Sequence, residues 1–130
     1  MGTQIFVNLH VSDLNASIEF FTKLGFAFDE NLTNDEAGCM IIDENIYALL
    51  VTEPFFKTIT ERDPADTRTV QEVALALSVD GRERVDELAE AAVSAGGQAA
   101  GEPMEEGPMY SRGFRDLDGH LWNVLHLAAA

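Results

Sequence analysis

Hydrophobic and polar residues alternate strictly over residues 4–11. Ile5, Val7, Leu9 and Val11 fall on one side, and Phe6, Asn8 and His10 on the other. A period of two predicts a strand with two different environments on its faces. Asp13 stands in the N-cap position of a helix over residues 14–24, where Leu14, Ile18, Phe21 and Leu24 recur three and four apart. Gly25 stops that helix. A second strand is expected at 26–30 and a polar turn at 31–38. A hairpin should follow, with strands at 39–42 and 46–52 around Asp43, Glu44 and Asn45. Residues 54–69 break the pattern with Pro54, Pro64 and mixed charge. They read as a linker with a short helix at 56–61.

The pattern then repeats. Val73, Leu75, Leu77 and Val79 alternate with Glu72, Ala74, Ala76 and Ser78. Asp80 to Glu83 has the spacing of a capping box. Val85, Leu88, Ala89, Ala92 and Val93 give one apolar face to a second helix, which Gly96 and Gly97 end. A short strand is expected at 98–101 and an acidic loop at 102–108. Two last strands, 110–115 and 121–127, flank the turn sequence Asp116-Leu117-Asp118-Gly119. Each half is therefore a βαβββ module. The fold class is α+β, with module one at 1–53, the linker at 54–69 and module two at 70–130.

Composition narrows the chemistry. The chain has 130 residues, 46% hydrophobic, enough for one domain with its own core. Eight basic against 23 acidic residues give a net charge of −15. That argues against a nucleic-acid partner, since phosphates need Lys and Arg to replace their counterions. It would favour cationic ligands over anionic ones, and it also serves solubility. The single cysteine, Cys39, excludes an internal disulfide and a Cys-based zinc site, and is expected to be an inert buried thiol. No apolar run approaches the roughly 20 residues of a membrane helix. The first residues carry no basic n-region, so a soluble cytoplasmic protein is expected. No P-loop, dinucleotide fingerprint or nucleophile motif is present.

Three segments carry a resemblance. The first is Val7-Asn8-Leu9-His10-Val11-Ser12-Asp13-Leu14 with Ser17, Phe20-Phe21 and Leu24-Gly25-Phe26. The second is Ala76-Leu77-Ser78-Val79-Asp80 with Ala95-Gly96-Gly97. The third is Phe114-Arg115-Asp116-Leu117-Asp118-Gly119-His120-Leu121-Trp122. In this order they resemble the vicinal oxygen chelate superfamily of glyoxalases, bleomycin-resistance proteins and extradiol dioxygenases. Leu117 stands where that family usually has Pro. The resemblance implies two βαβββ modules forming an open curled mixed β-sheet cup, with helices outside and a ligand cavity inside. The aliphatic strand faces should then lie under the helices, and the mixed faces should line the cavity.

The resemblance also implies where a divalent metal would be held. Those positions fall on Phe6, on one of Ala48, Leu49 and Leu50, on Ala74 and on Asn123. Phe, Ala and Leu donate nothing to a metal, and a lone Asn amide is a weak ligand. The expectation is therefore no metal and no cofactor, and a protein that binds a small, possibly cationic molecule without transforming it. Candidates for the ligand pocket are Phe6, Asn8, His10, Tyr47, Glu72, Ser78, Tyr110 and Asn123. The competing expectation is a divalent-metal-dependent lyase, isomerase or dioxygenase acting on a small oxygenated metabolite, with ligands relocated to residues such as His10 and Glu72. A homodimer is expected from the same resemblance. His126 has the parity of the helix side or the rim, His120 is expected to pack in the hairpin, and Trp122 is expected in the core.

Overall fold

β1 (Ile5–Val11) forms where the sequence alternates, and it pairs in parallel with β4 (Ile46–Thr52). The computed structural model describes residues 2–128, which form two compact units that meet in sequence between Pro64 and Ala65. In the first unit the chain runs from β1 through α1 (Leu14–Lys23), β2 (Ala27–Phe28), β3 (Ala37–Asp43) and β4 to α2 (Glu53–Thr60). The sheet order is β1-β4-β3-β2, with the β2–β3 and β3–β4 pairs antiparallel.

Asp13 caps α1 as its sequence position requires, accepting a hydrogen bond from the Ala16 N–H at 3.1 Å. The helix buries Leu14, Ser17, Phe20 and Phe21. It packs on the sheet face that carries Leu9, Met40, Ala48 and Leu50, all essentially inaccessible. The approach is close, because a Cβ on Gly38 would stand 3.0 Å from Ile18 Cδ1. Several sequence boundaries move, and β3 begins at Ala37, inside the turn expected at 31–38. The strand expected at 26–30 stops at Phe28, since the Asp29 carboxylate accepts from the Asn31 N–H at 2.9 Å and bends the chain into a 3-10 turn, Glu30–Leu32. The helix expected at 56–61 starts at Glu53, with Pro54 in the first turn, where its missing N–H leaves no bond unmade.

The second unit contains β5 (Ala74–Ser78), α3 (Arg82–Ser94), β6 (Gln98–Glu106), β7 (Met109–Arg115) and β8 (Leu121–Leu127). Its sheet order is β5-β8-β7-β6, again with a parallel pair (β5–β8) and two antiparallel ones. Each half is thus a βαβββ arrangement, as the repeat in the sequence implies. The core lies between α3, through Val85, Leu88, Ala89 and Ala92, and the sheet residues Phe114, Trp122 and Val124. The Phe114 and Trp122 rings stack at 6.2 Å.

Two local expectations fail here. The capping box at Asp80 does not form: the N-cap of α3 is Gly81, with no side-chain cap. β5 continues along β8 through the Val79 N–H to Leu125 carbonyl bond at 2.8 Å, and the Gly81 N–H then donates to His126 Nδ1 at 2.9 Å. An imidazole from the neighbouring strand therefore fixes the corner that Asp80 was expected to cap. The acidic loop expected at 102–108 is mostly strand. β6 runs to Glu106, because an irregularity between Ala100 and Met104 absorbs the extra residues and β6 is an edge strand that tolerates Pro103.

Polar contacts fasten α3 to β7. The Tyr110 hydroxyl donates to Asp86 at 2.6 Å, and Arg112 Nη1 donates to Asp86 at 3.1 Å and to Glu90 at 3.3 Å. The Arg82 guanidinium lies 4.0 Å above the Tyr110 ring and reaches Glu105 at 2.8 Å. The Tyr110 hydroxyl first, and Arg112 second, hold the Asp86 carboxyl below the usual carboxylate range. The bond to Asp86 raises the Tyr110 phenol in return. Among the described residues no helix is long and apolar enough to cross a membrane.

Two measurements check this arrangement. Leu50→Ala, which empties a fully covered site, should destabilise by about 2–5 kcal/mol in denaturant unfolding, whereas Asn8→Ala on the other face should change stability by no more than about 0.5 kcal/mol. Equal losses would mean that the sheet faces are reversed. Asp86 has a depressed folded pKa, so its contribution is present above the ordinary carboxylate range and is lost as pH falls through the folded value. Wild type should therefore be more stable than Asp86→Asn at neutral pH. The gap should close as the pH drops below the carboxylate range. A gap independent of pH would show that the Asp86 charge is not what fastens the helix.

Candidate functional site

Strand pleating sorts every paired residue onto one of two faces. In the first unit, Phe6, Asn8, His10, Tyr47, Leu49, Val51, Ala37, Cys39 and Ile41 share the face opposite α1. α2 closes one end of that face: Phe56 packs on Ala37 and Val51, with Leu49 and Phe55 beside them. In the second unit, Ala74, Ala76 and Ser78 share the face opposite α3 with Leu121, Asn123 and Leu125, and with Ser111, Gly113 and Arg115. There the sequence expectation about faces holds. Ala74, Ala76 and Ser78 are exposed, while Leu75 and Leu77 on the other side are half-buried.

The pocket candidates divide accordingly. Phe6 is 40% exposed and stacks flat on Tyr47, with ring centroids 4.6 Å apart. The Tyr47 hydroxyl donates to the Glu44 carbonyl at 3.1 Å, and the Asn8 amide donates to the Phe6 carbonyl at 3.2 Å. His10 is on the same face but only 2% exposed, with the Phe56 ring 5.1 Å from its own. Ser78 and Asn123 are on the open face of the second unit, Ser78 exposed and Asn123 half-buried. Glu72 is exposed and precedes β5. Tyr110 is on the opposite face, beneath Arg82 and bonded to Asp86, because residues 110, 112 and 114 alternate with the open-face residues 111, 113 and 115. Tyr110 is therefore part of the helix packing and is not on the open face.

Three residues that the sequence reading did not single out lie on that face: Ser111, Gly113 and Arg115. Counting in twos from Asn123 across the hairpin would have found them, given the register that pairs Gly113 with Asn123. Gly113 is there for a spatial reason. A Cβ at this position would stand 2.9 Å from both Asn123 Oδ1 and the Ala100 carbonyl oxygen, so glycine makes room for the Asn123 amide to lie across β7. That amide makes no hydrogen bond to any described residue. Of the paired residues on this face in β5, β7 and β8, from Ala74 to Ser78, Ser111 to Arg115 and Leu121 to Leu125, one alone is charged, Arg115.

The four positions implied for a metal can now be placed. Phe6 and Leu49 share the open face of the first sheet, whereas Ala48 and Leu50 point to α1. Ala74 and Asn123 share the open face of the second sheet. A hydrocarbon side chain at three positions and a neutral amide at the fourth do not fit a divalent ion, which needs several strong donors. Among the described residues no group of three or more His, Cys, Asp or Glu is placed to hold a metal. Cys39 is fully covered, and burial first, then the Asp29 charge, pushes its thiol up and away from the reactive thiolate. His120 and Trp122 are both fully buried. His126 is engaged at the corner between β5 and α3.

Comparison with known proteins agrees with this geometry. A hypothetical protein from S. aureus, SA1046, is 29% identical, with a TM-score of 0.82 over 97% of this chain and 94% of its own. A glyoxalase/bleomycin resistance protein/dioxygenase family enzyme from Burkholderia phytofirmans PsJN is 17% identical, with a TM-score of 0.81 over 97% of this chain and 99% of its own. TnmS3, an antibiotic binding protein from Streptomyces sp. CB03234, is 17% identical, with a TM-score of 0.70 over 98% of each chain. No curated protein matches the chain significantly. The family model of the Glyoxalase/Bleomycin resistance protein/Dioxygenase superfamily matches residues 4–124, and the chain belongs to that superfamily.

Proposed function

We propose that the protein binds a small, uncharged, hydrogen-bonding molecule against the open face of its second sheet and does not transform it through a bound metal. The observation that carries this reading is the floor built by Ala74, Ala76, Ser78, Ser111, Gly113 and Asn123. Its side chains are small, and the Asn123 amide lies over Gly113 and makes no hydrogen bond to the described residues. An amide both donates and accepts, so it can recognise a carbonyl, an amide or a hydroxyl on a ligand. The stacked Phe6 and Tyr47 rings form a separate flat apolar ledge on the first unit's own open face. The net charge of −15 gives little local counter-charge on the second unit's open face, where the charged paired residues are Arg115 and, at the far end of β6, Glu106. A cationic ligand therefore has less support from the faces than from the overall charge. TnmS3, a fold neighbour, is an antibiotic binding protein, which is compatible with a binding role on this fold.

Metal-assisted chemistry would need donors that Phe6, Leu49, Ala74 and Asn123 do not supply. Thermal-shift screening against neutral, oxygen-bearing small molecules should give ligands that raise the melting temperature, since a ligand at a hundred times its dissociation constant adds about 2.7 kcal/mol. Ala76→Trp, at an exposed position on the floor, should fold normally and abolish that response. Near-stoichiometric zinc, nickel, manganese or iron in protein purified without added metal would overturn the proposal. So would a ligand response that Ala76→Trp leaves intact.

A further inference from the structure

A second feature of the second unit lies at the end of its sheet, where β7 turns into β8. There a pocket of about 360 Å³ is lined by Thr67, Arg68, Gln98, Arg115 and Leu117 among others. That volume is within the range of small-molecule sites, roughly 300–1,000 Å³. Two of the eight basic residues of a strongly acidic chain stand in its wall.

The donors are specific. Arg115 Nη1 donates to the Gly119 carbonyl at 3.0 Å and to Gln71 Oε1. These bonds anchor the guanidinium through one nitrogen. Nε and Nη2 make no hydrogen bond to a described residue. They are the two nitrogens on the edge of a guanidinium that matches a carboxylate or phosphate two bonds at a time. Gln98 is the cross-strand partner of Arg115, and its amide likewise makes no hydrogen bond to the described residues. Arg68 also lines the pocket, with its charge balanced by Asp66, whose carboxylate accepts from Arg68 Nε at 3.0 Å.

The carboxylate nearest the pocket is directed elsewhere. Asp116 accepts from the backbone N–H groups of Asp118 and His120 at 3.0 Å each and from Trp122 Nε1 at 3.0 Å. Those three bonds turn it into the hairpin and leave the fork of Arg115 as the pocket's strongest donor pair. The backbone of the linker shapes the far wall. Thr67 donates to the Asp118 carbonyl at 2.6 Å, and a Cβ on Gly119 would stand 2.5 Å from the Thr67 carbonyl oxygen.

We infer that this pocket is an oxyanion site that takes a carboxylate or phosphate group on the Nε–Nη2 edge of Arg115, with the Gln98 amide as second donor and Leu117 against the apolar part of the molecule. The site belongs to the second unit alone, at the Arg115 end of its open face, and its lining includes none of Ala74, Ala76, Ser78, Ser111, Gly113 and Asn123, so either reading can fail without the other.

The test is an NMR titration of isotope-labelled protein with inorganic phosphate and, separately, with acetate, each against chloride at matched ionic strength. One or both oxyanions should give saturable shifts at the Gln98 side-chain amide, the Arg115 Nε–H and the backbone N–H groups of Gly96 and Gly119. Which of the two saturates at lower concentration identifies the group preferred. Gln98→Glu puts a carboxylate beside the fork at an exposed, unbonded position, so it should fold normally and weaken binding at least tenfold. Arg115→Lys keeps the charge but loses the fork, and should weaken binding while the hairpin stays folded. Shifts that fail to saturate, that chloride reproduces, or that Gln98→Glu leaves unchanged would each overturn the assignment.

Discussion

Each unit depends on one parallel strand pair, β1 with β4 in the first and β5 with β8 in the second. Parallel pairing cannot be closed by a tight turn. It needs a long crossover, and here a helix and two further strands fill the gap. That requirement puts α1 and α3 on one face of their sheets and leaves the opposite face free of α1 and α3. Strand pleating does the rest, because residues two apart along a paired strand must share a face. The aliphatic positions Leu9, Leu50, Val124 and their neighbours form the cores, and the small or polar positions Ala76, Ser78 and Asn123 are left outside them.

The two open faces differ in what they offer a ligand. The first carries aromatic and apolar groups and is partly closed by α2, whose Phe56 covers His10. A histidine so covered is poorly placed to act on a ligand. The second carries small side chains on β5 and β7 beside Leu121 and Leu125 of β8, with the neutral amide of Asn123 between those two leucines. Superfamily membership therefore describes the architecture here, and the proposed absence of metal chemistry rests on the side chains at Phe6, Leu49, Ala74 and Asn123. The acidic residues do not alter this, since they are concentrated on helices, turns and the β6 edge and are absent from the middle of the second open face.

The β7–β8 hairpin shows how one buried polar group organises its surroundings. Asp116 binds the N–H groups of Asp118, His120 and Trp122, so its burial leaves few bonds unmade. The tight turn that results places the Gly119 carbonyl where Arg115 can bind it. It also brings the residues that precede β5 against the turn through Thr67. The sequence motif around Asp116 is thus primarily a turn-forming device, and the arginine next to it is positioned as a consequence.

The sequence by itself determined the duplication, the strand–helix–strand order and the faces of β1 and β5, because these follow from local periodicity and short-range capping such as Asp13 on Ala16. The same counting placed Phe6, Ala74 and Asn123 on the faces away from the helices, while their standing at metal positions came from the family resemblance. It did not locate Arg115, Ser111 and Gly113 on the open face, nor move Tyr110 off it. Those depend on the register between β7 and β8, which the bonds inside the Asp116 turn set. It also missed the His126 bond that replaces the Asp80 cap and the strand character of β6 beyond Gly101, since each depends on a neighbouring strand. The burial of His10 was decided by where α2 folds back onto β1 and β4. Periodicity tells a residue which side of its own strand it is on; which other residues meet it there is settled only when strands pair and a helix closes over them.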